Sequence, residues 1–199
     1  MAPTPRQHLR DLVGVTGNER LTTLAGLALI PLLGAEALTV LGLGVLLTVH
    51  LFLGLWLLLP LAVKMGSTGY RFASYYGRRP AYTEAGPPRL PSRLLAPILV
   101  AATIGLMGSG VVMWALGVPA SEPWLLVHKV SFQVWWISLL AHLLLHLGHI
   151  RRDTVSDLVR RESGYLTRSG LVGAAVLLGL IVAGALLWTG PIWPSGVAG

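Results

Sequence analysis

Long runs of apolar residues alternate along the chain with short polar segments, and this pattern predicts several membrane-spanning helices. Three runs have roughly the length that one helix needs to cross a bilayer, about 20 residues. They cover residues 94–116, 124–150 and 170–188. The polar, proline-rich stretch "YTEAGPPRLPSR" precedes the first of these runs, and a basic segment separates the second from the third.

A fourth apolar segment, residues 21–63, is about twice as long as one span requires. We therefore predict a helical hairpin, with spans at 21–38 and 43–63. Its turn is expected around residues 36–44, where Glu36 and two glycines gather. The pattern as a whole predicts an all-α, polytopic transmembrane bundle of five spans, in which residues 21–150 form a four-helix unit.

Composition strengthens this prediction. The chain has 199 residues, of which 54% are apolar and 12% charged, with a mean hydropathy of +0.70. Soluble domains carry about 25% charged residues. The absence of cysteine excludes disulfides, iron–sulfur clusters and thiolate metal sites. The polar N-terminus shows no cleavable signal-peptide pattern.

The formal charge of +7 is distributed in clusters. Lysine and arginine concentrate in residues 1–20, 64–93 and 151–169, and Lys129 alone lies outside these segments. Basic clusters between apolar spans are typical of cytoplasmic loops in a plasma-membrane protein, whereas nucleic acid binding is not indicated. We expect the tail 1–20 and the loop 151–169 inside the cell, and the tail 189–199 outside.

The predicted fourth span contains an unusual number of histidines for an apolar helix. At about 100° per residue, four of them share one face. They are His128, His142, His146 and His149. Ionisable residues inside a membrane are candidates for function, and the alternative is that they are buried imidazoles bonded to neighbouring polar groups.

Depth in the bilayer predicts which of these histidines has a partner. His50 in the second span lies roughly 10 Å from the outer end of its helix, and His128 roughly 6 Å from the outer end of the fourth. His142 lies much deeper, at roughly 27 Å. We therefore predict that His50 and His128 are the axial ligands of one b-type haem, bound between the second and fourth spans near the outer face.

Two further residues accompany this predicted site. Gly54 lies one helical turn from His50 on the same face, where it gives a flat cofactor room or lets helices approach closely. Lys129 follows His128, and either pairs with a haem propionate or extends to water. The glycines of the third span, among them Gly105, Gly108 and Gly110, are interpreted in the same two ways.

The histidine pattern resembles that of membrane cytochromes of the b type, namely the cytochrome b of quinol-oxidising complexes and bacterial cytochrome b561-like subunits. In the former, two stacked haems use histidines thirteen or fourteen residues apart on the second and fourth helices. Here His128 and His142 show that spacing, but Lys64 stands where the second span would need its other histidine. The resemblance therefore implies one haem and leaves a second doubtful. The stretches "KMGSTGYRFASYY" and "AGPPRLPSRLLAP" are similar to those of small actinobacterial membrane proteins.

The deeper histidines leave several alternatives open. His142 and His146 are placed to form a second metal site, a proton path, a quinone-site donor or an alternative haem ligand, or they are interfacial packing residues. The leading prediction is a subunit that relays electrons between the quinone pool or a cytoplasmic-side donor and a redox partner protein at the outer face. No flavin or nicotinamide motif is present, so we expect a subunit rather than a complete reductase. The alternatives are a haem-free histidine-containing transporter and a structural membrane anchor, and the oligomeric state is open.

Overall fold

The computed structural model of the chain describes residues 14–87, 90–117, 122–160 and 164–189, with the backbone alone for residues 146–160. These ranges contain helices and no strand. The six helices are α1 (Val15–Val40), α2 (Leu43–Tyr76), α3 (Pro80–Glu84), α4 (Leu90–Leu116), α5 (Glu122–Arg160) and α6 (Tyr165–Thr189). The predicted all-α architecture is therefore confirmed for the described residues.

Five of these helices are long and apolar enough to cross a membrane. They are α1, α2, α4, α6 and the part of α5 from Glu122 to Leu145. Only a small share of each apolar stretch is buried inside the bundle. Helices that keep apolar residues on their outer surfaces fit a lipid environment, so the chain is a multi-pass membrane protein by the character of its spans.

A tight connection joins α1 to α2. The backbone N–H of Leu41 donates to the carbonyl of Leu38, and that of Gly42 donates to the carbonyl of Thr39, so the first helix ends in a closed turn. The second helix begins immediately at Leu43. Since Glu36 lies before this turn, it belongs to the last helical turns of α1 rather than to the connection. We call this end of the bundle the hairpin end.

The second helix continues well past the predicted end of its span at residue 63. It runs to Tyr76 and stops at Gly77, so Lys64 lies within a helix rather than in a loop. Polar side chains support the extension, because the hydroxyl of Thr68 donates back to the carbonyl of Lys64 over 2.9 Å. The short helix α3 follows, with Pro80 in its first turn, where a missing N–H has no cost.

The helices pack in two groups. Helix α2 contacts both α1 and α6, while α4 and α5 form a pair. Gly179 lets α6 approach α2, since a Cβ there would stand 2.7 Å from the carbonyl oxygen of Trp56. The indole N–H of Trp56 donates to the carbonyl of Val176 over 2.8 Å. Contacts of α2 with α4 and of α1 with α5 join the two groups, and the candidate site lies where they meet.

Candidate functional site

Five polar side chains from four different helices gather near the hairpin end. Helix α1 provides Glu36 and Thr39, α2 provides His50, α4 provides Ser109, and α5 provides His128. We call this group the histidine site. His50 and His128, which the sequence predicts to be partners, lie close together, with their ring centroids 6.3 Å apart.

The imidazole of His50 is held by two groups of α1. Its Nδ1 lies 2.8 Å from Oγ1 of Thr39 and 3.1 Å from Oε1 of Glu36. The side chains of His50 and Glu36 keep 19% and 14% of their full exposure, so these contacts form in a largely dry environment. Hydrogen bonds in such surroundings are strong and orient the ring firmly.

The contacts of Thr39 assign the proton of this imidazole. Its hydroxyl donates its one hydrogen to the carbonyl of Glu36 over 2.6 Å. The hydroxyl oxygen can therefore only accept a hydrogen bond from His50. This arrangement places the hydrogen of the neutral ring on Nδ1 of His50 and its lone pair on Nε2.

The imidazole of His128 also carries its hydrogen on Nδ1, but with different hydrogen-bond partners. Its Nδ1 lies 3.1 Å from the backbone carbonyl oxygen of Leu106 and 3.1 Å from Oγ of Ser109. A carbonyl oxygen only accepts, so Nδ1 of His128 is the donor. The lone pair of this ring also lies on Nε2, which is the nitrogen through which either imidazole could hold a metal.

The two rings stand at a separation that a shared metal requires. Their planes are 85° apart. Imidazoles on opposite sides of one metal have ring centroids roughly 6 Å apart, because each metal–nitrogen bond is roughly 2 Å long. The observed 6.3 Å agrees with this distance.

Glycines surround the histidine site. A Cβ at Gly110 would stand 3.4 Å from Cε1 of His128, and one at Gly54 would stand 3.4 Å from Oε1 of Glu36. Gly105 instead allows close helix packing, because a Cβ there would meet Oγ of Ser131 at 2.5 Å. Gly108 is exposed, with nothing within 4 Å of its Cβ position. Gly54 and Gly110 thus border the histidine site, whereas Gly105 allows close helix packing and Gly108 has no near neighbour.

The remaining predicted residues lie apart from the pair. Lys129 is exposed, and His142 is half-buried further along α5. The side chains of His146 and His149 lie outside the described residues, so the predicted second metal site at His142 and His146 falls partly outside them as well. Among the described residues, no three His, Cys, Asp or Glu side chains are grouped closely enough to hold a metal ion.

A second polar group lies near the opposite end, between α1 and α2. The ammonium of Lys64 donates to the carbonyl of Thr22 over 2.7 Å, and the amide of Asn18 donates to the carbonyl of Ser67 over 3.0 Å. The hydroxyl of Thr22 donates to that of Ser67 over 2.8 Å. We call these four residues the polar seam. Lys64 thus faces α1.

Three members of the site, Glu36, Thr39 and Ser109, were not predicted from the sequence. Glu36 was assigned to the turn, and single hydroxyl residues in apolar helices carry no distinctive pattern. The usable signal was the spacing of Glu36 and Thr39, which places both on one face of α1. In comparisons with known proteins, the chain matches no family model, no characterised protein and no solved structure.

Proposed function

We propose that this protein is a b-type cytochrome subunit of the plasma membrane, with one haem b bound between Nε2 of His50 and Nε2 of His128. The observation that carries the proposal is the closeness of the two imidazoles, whose ring centroids are 6.3 Å apart and whose Nδ1 atoms both have hydrogen-bond partners. Hydrogen-bonded Nδ1 groups are the usual way in which proteins orient metal-binding imidazoles.

The donor set favours haem over a bare metal ion. The described residues provide two neighbouring imidazoles but no group of three ligands, and the chain has no cysteine. A bare transition metal needs more protein ligands than this. Haem needs only two axial ones, because its ring nitrogens complete the coordination. Bound haem would supply reversible one-electron chemistry, while the protein orients it and tunes its environment.

The distribution of charge supports an orientation for this relay. Arg71, Arg78, Arg79 and Arg93 lie toward the end opposite the hairpin, whereas Lys129 lies toward the hairpin end. By the positive-inside rule, we place the arginine-rich end in the cytoplasm and the haem near the outer face. Electrons would then pass between quinone or a cytoplasmic-side donor and a partner protein at the outer surface.

The experiment is a reduced-minus-oxidised absorption spectrum of the purified protein, expressed with a supply of haem. We expect one haem per chain, lost in His50→Ala and in His128→Ala. His142→Ala is the matched control on the same helix, and it should retain the haem. A well-folded wild-type protein without a Soret band would refute the proposal. Loss of haem in His142→Ala, with haem retained in His128→Ala, would show that His142 is the ligand in place of His128.

One observation favours a second function, a haem-free proton-coupled transporter. A buried carboxyl group, Glu36, contacts an imidazole inside the bundle, and such pairs occur in membrane proton relays. This function predicts that the haem-free protein, reconstituted in vesicles, carries protons or a solute coupled to them. Glu36→Gln would stop that flux, and the absorption spectrum of the wild type decides between the two functions.

A further inference from the structure

The residues that hold His50 and those that hold His128 differ in chemistry. Each ring has a hydroxyl near Nδ1, but His128 also donates to a neutral backbone carbonyl, whereas His50 also faces a carboxyl group. Carboxylate acceptors make stronger hydrogen bonds than neutral ones. The two imidazoles therefore have different partners at Nδ1, although both present the same nitrogen.

Helix α1 supplies both groups that hold His50. Glu36 and Thr39 are three residues apart, so they lie on one face of the last turns of the helix. The closed turn at Leu41 and Gly42 fixes this face against α2. A helix that contributes neither histidine thus determines the position of one of them.

The carboxyl group is accommodated at this place by specific features of the fold. Gly54 gives it room, since a Cβ there would stand 3.4 Å from Oε1 of Glu36. The second oxygen, Oε2, is buried and has no hydrogen-bond partner among the described residues. Leaving a buried oxygen unbonded is costly, so a carboxyl group is a poor choice here for packing alone.

We infer that Glu36, in its ionised form, and Thr39 are positioning residues that make His50 the stronger of two unequal haem ligands and so lower the reduction potential of the iron. This inference rests on the proposed haem site. A carboxylate that accepts the Nδ1 hydrogen raises the basicity of the imidazole. A more basic ligand stabilises the oxidised iron relative to the reduced iron, and the potential falls.

The test is a redox titration of the purified, haem-loaded protein and its variants. Glu36→Gln keeps the shape of the side chain but weakens the acceptor, so the potential should rise. We expect about a tenfold change in the ratio of reduced to oxidised iron at a given ambient potential, similar to other changes around metal ligands. For one electron this corresponds to about 59 mV.

Three further variants make the result specific. Glu19→Gln changes another carboxyl group of α1, which pairs with Arg71 over 2.6 Å, and it should leave the potential unchanged. Thr39→Val removes the hydroxyl acceptor and should shift the potential upward, whereas Thr39→Ser should not. These variants keep the inference testable if Glu36→Gln fails to accumulate.

The outcomes separate the inference from the function on which it rests. A wild-type protein without haem refutes the proposed function. A wild-type protein with haem, whose potential is the same in Glu36→Gln and in Thr39→Val, overturns the inference and leaves the function standing.

Discussion

The histidine site and the polar seam are both polar groups inside an apolar bundle, but they use their bonding capacity differently. In the seam, the amide of Asn18 and the ammonium of Lys64 donate to backbone carbonyls of the neighbouring helix. In the histidine site, Nδ1 of each ring is engaged while the lone pair on Nε2 remains available. Polar residues in a membrane bundle therefore indicate a candidate binding site only when some of their hydrogen-bond donors or acceptors are not used by contacts within the fold.

The two groups also differ in the number of helices they join. The seam connects α1 with α2, which are adjacent in the chain and linked by a tight turn. The histidine site brings together side chains from α1, α2, α4 and α5. The seam therefore stabilises one helical hairpin, whereas the histidine site lies where the two groups of helices meet.

The largest effect that follows from this comparison is expected at Gly110. A leucine there would place carbons against the ring of His128, because even its Cβ would stand 3.4 Å from Cε1. Crowding of this kind costs about 1–3 kcal/mol. That corresponds to roughly a tenfold to hundredfold loss of haem affinity. A haem titration of the purified variant measures it.

Gly108→Leu is the matched control for this prediction. It lies on the same helix, is exposed, and has nothing within 4 Å of its Cβ position. Haem affinity in this variant should equal that of the wild type. An equal loss of haem affinity in both variants would mean that leucine disturbs α4 generally. It would contradict the prediction that Gly110, unlike Gly108, borders the histidine site.

The polar seam should show the opposite behaviour when it is weakened. Asn18→Ala removes the hydrogen bond to the carbonyl of Ser67 from a residue that is 2% exposed. The expected loss of unfolding free energy is about 1–3 kcal/mol, because a buried partner is removed. Thermal unfolding in detergent measures this loss, and the haem spectrum should remain unchanged. A changed spectrum with normal stability would contradict the structural role of the seam.

Much of the fold follows from the sequence, because length and apolarity determine which segments can span a bilayer. The five spans were predicted from these properties, including the division of the 21–63 segment into a hairpin. The extension of α2 to Tyr76 was not predicted. Its last turns contain polar residues and glycines, which are typical of a loop. In the structure, hydroxyls such as that of Thr68 bond back to the helix backbone and are accommodated within the helix.

The pairing of His50 with His128 was predictable because depth along two helices can be counted from the sequence. The partners of each imidazole were not, since they depend on how the helices are rotated. Rotation brings Glu36 and Thr39 of α1 onto Nδ1 of His50, and it directs Lys64 toward α1 as well. Depth alone would have placed Lys64 near a second, inner site.

The smallest expected effect tests whether the polar seam can become a binding site. The resemblance to two-haem cytochromes suggests that a histidine at position 64 would restore a second ligand opposite His142. We expect Lys64→His to bind no second haem, because the side chain at this position faces α1. The ammonium of Lys64 bonds the carbonyl of Thr22 and lies 3.0 Å from where a Cβ of Gly26 would stand.

The haem-to-protein ratio of Lys64→His, compared with that of Lys64→Met, measures this directly. Both variants should keep one haem and lose only the hydrogen bond of the ammonium. Part of that loss is offset because a charged group no longer has to be buried, so the net change in unfolding free energy should be about 1 kcal/mol or less. A second haem in the histidine variant would show that α2 can turn this face toward α5, and that depth rather than rotation decides where this bundle binds a cofactor.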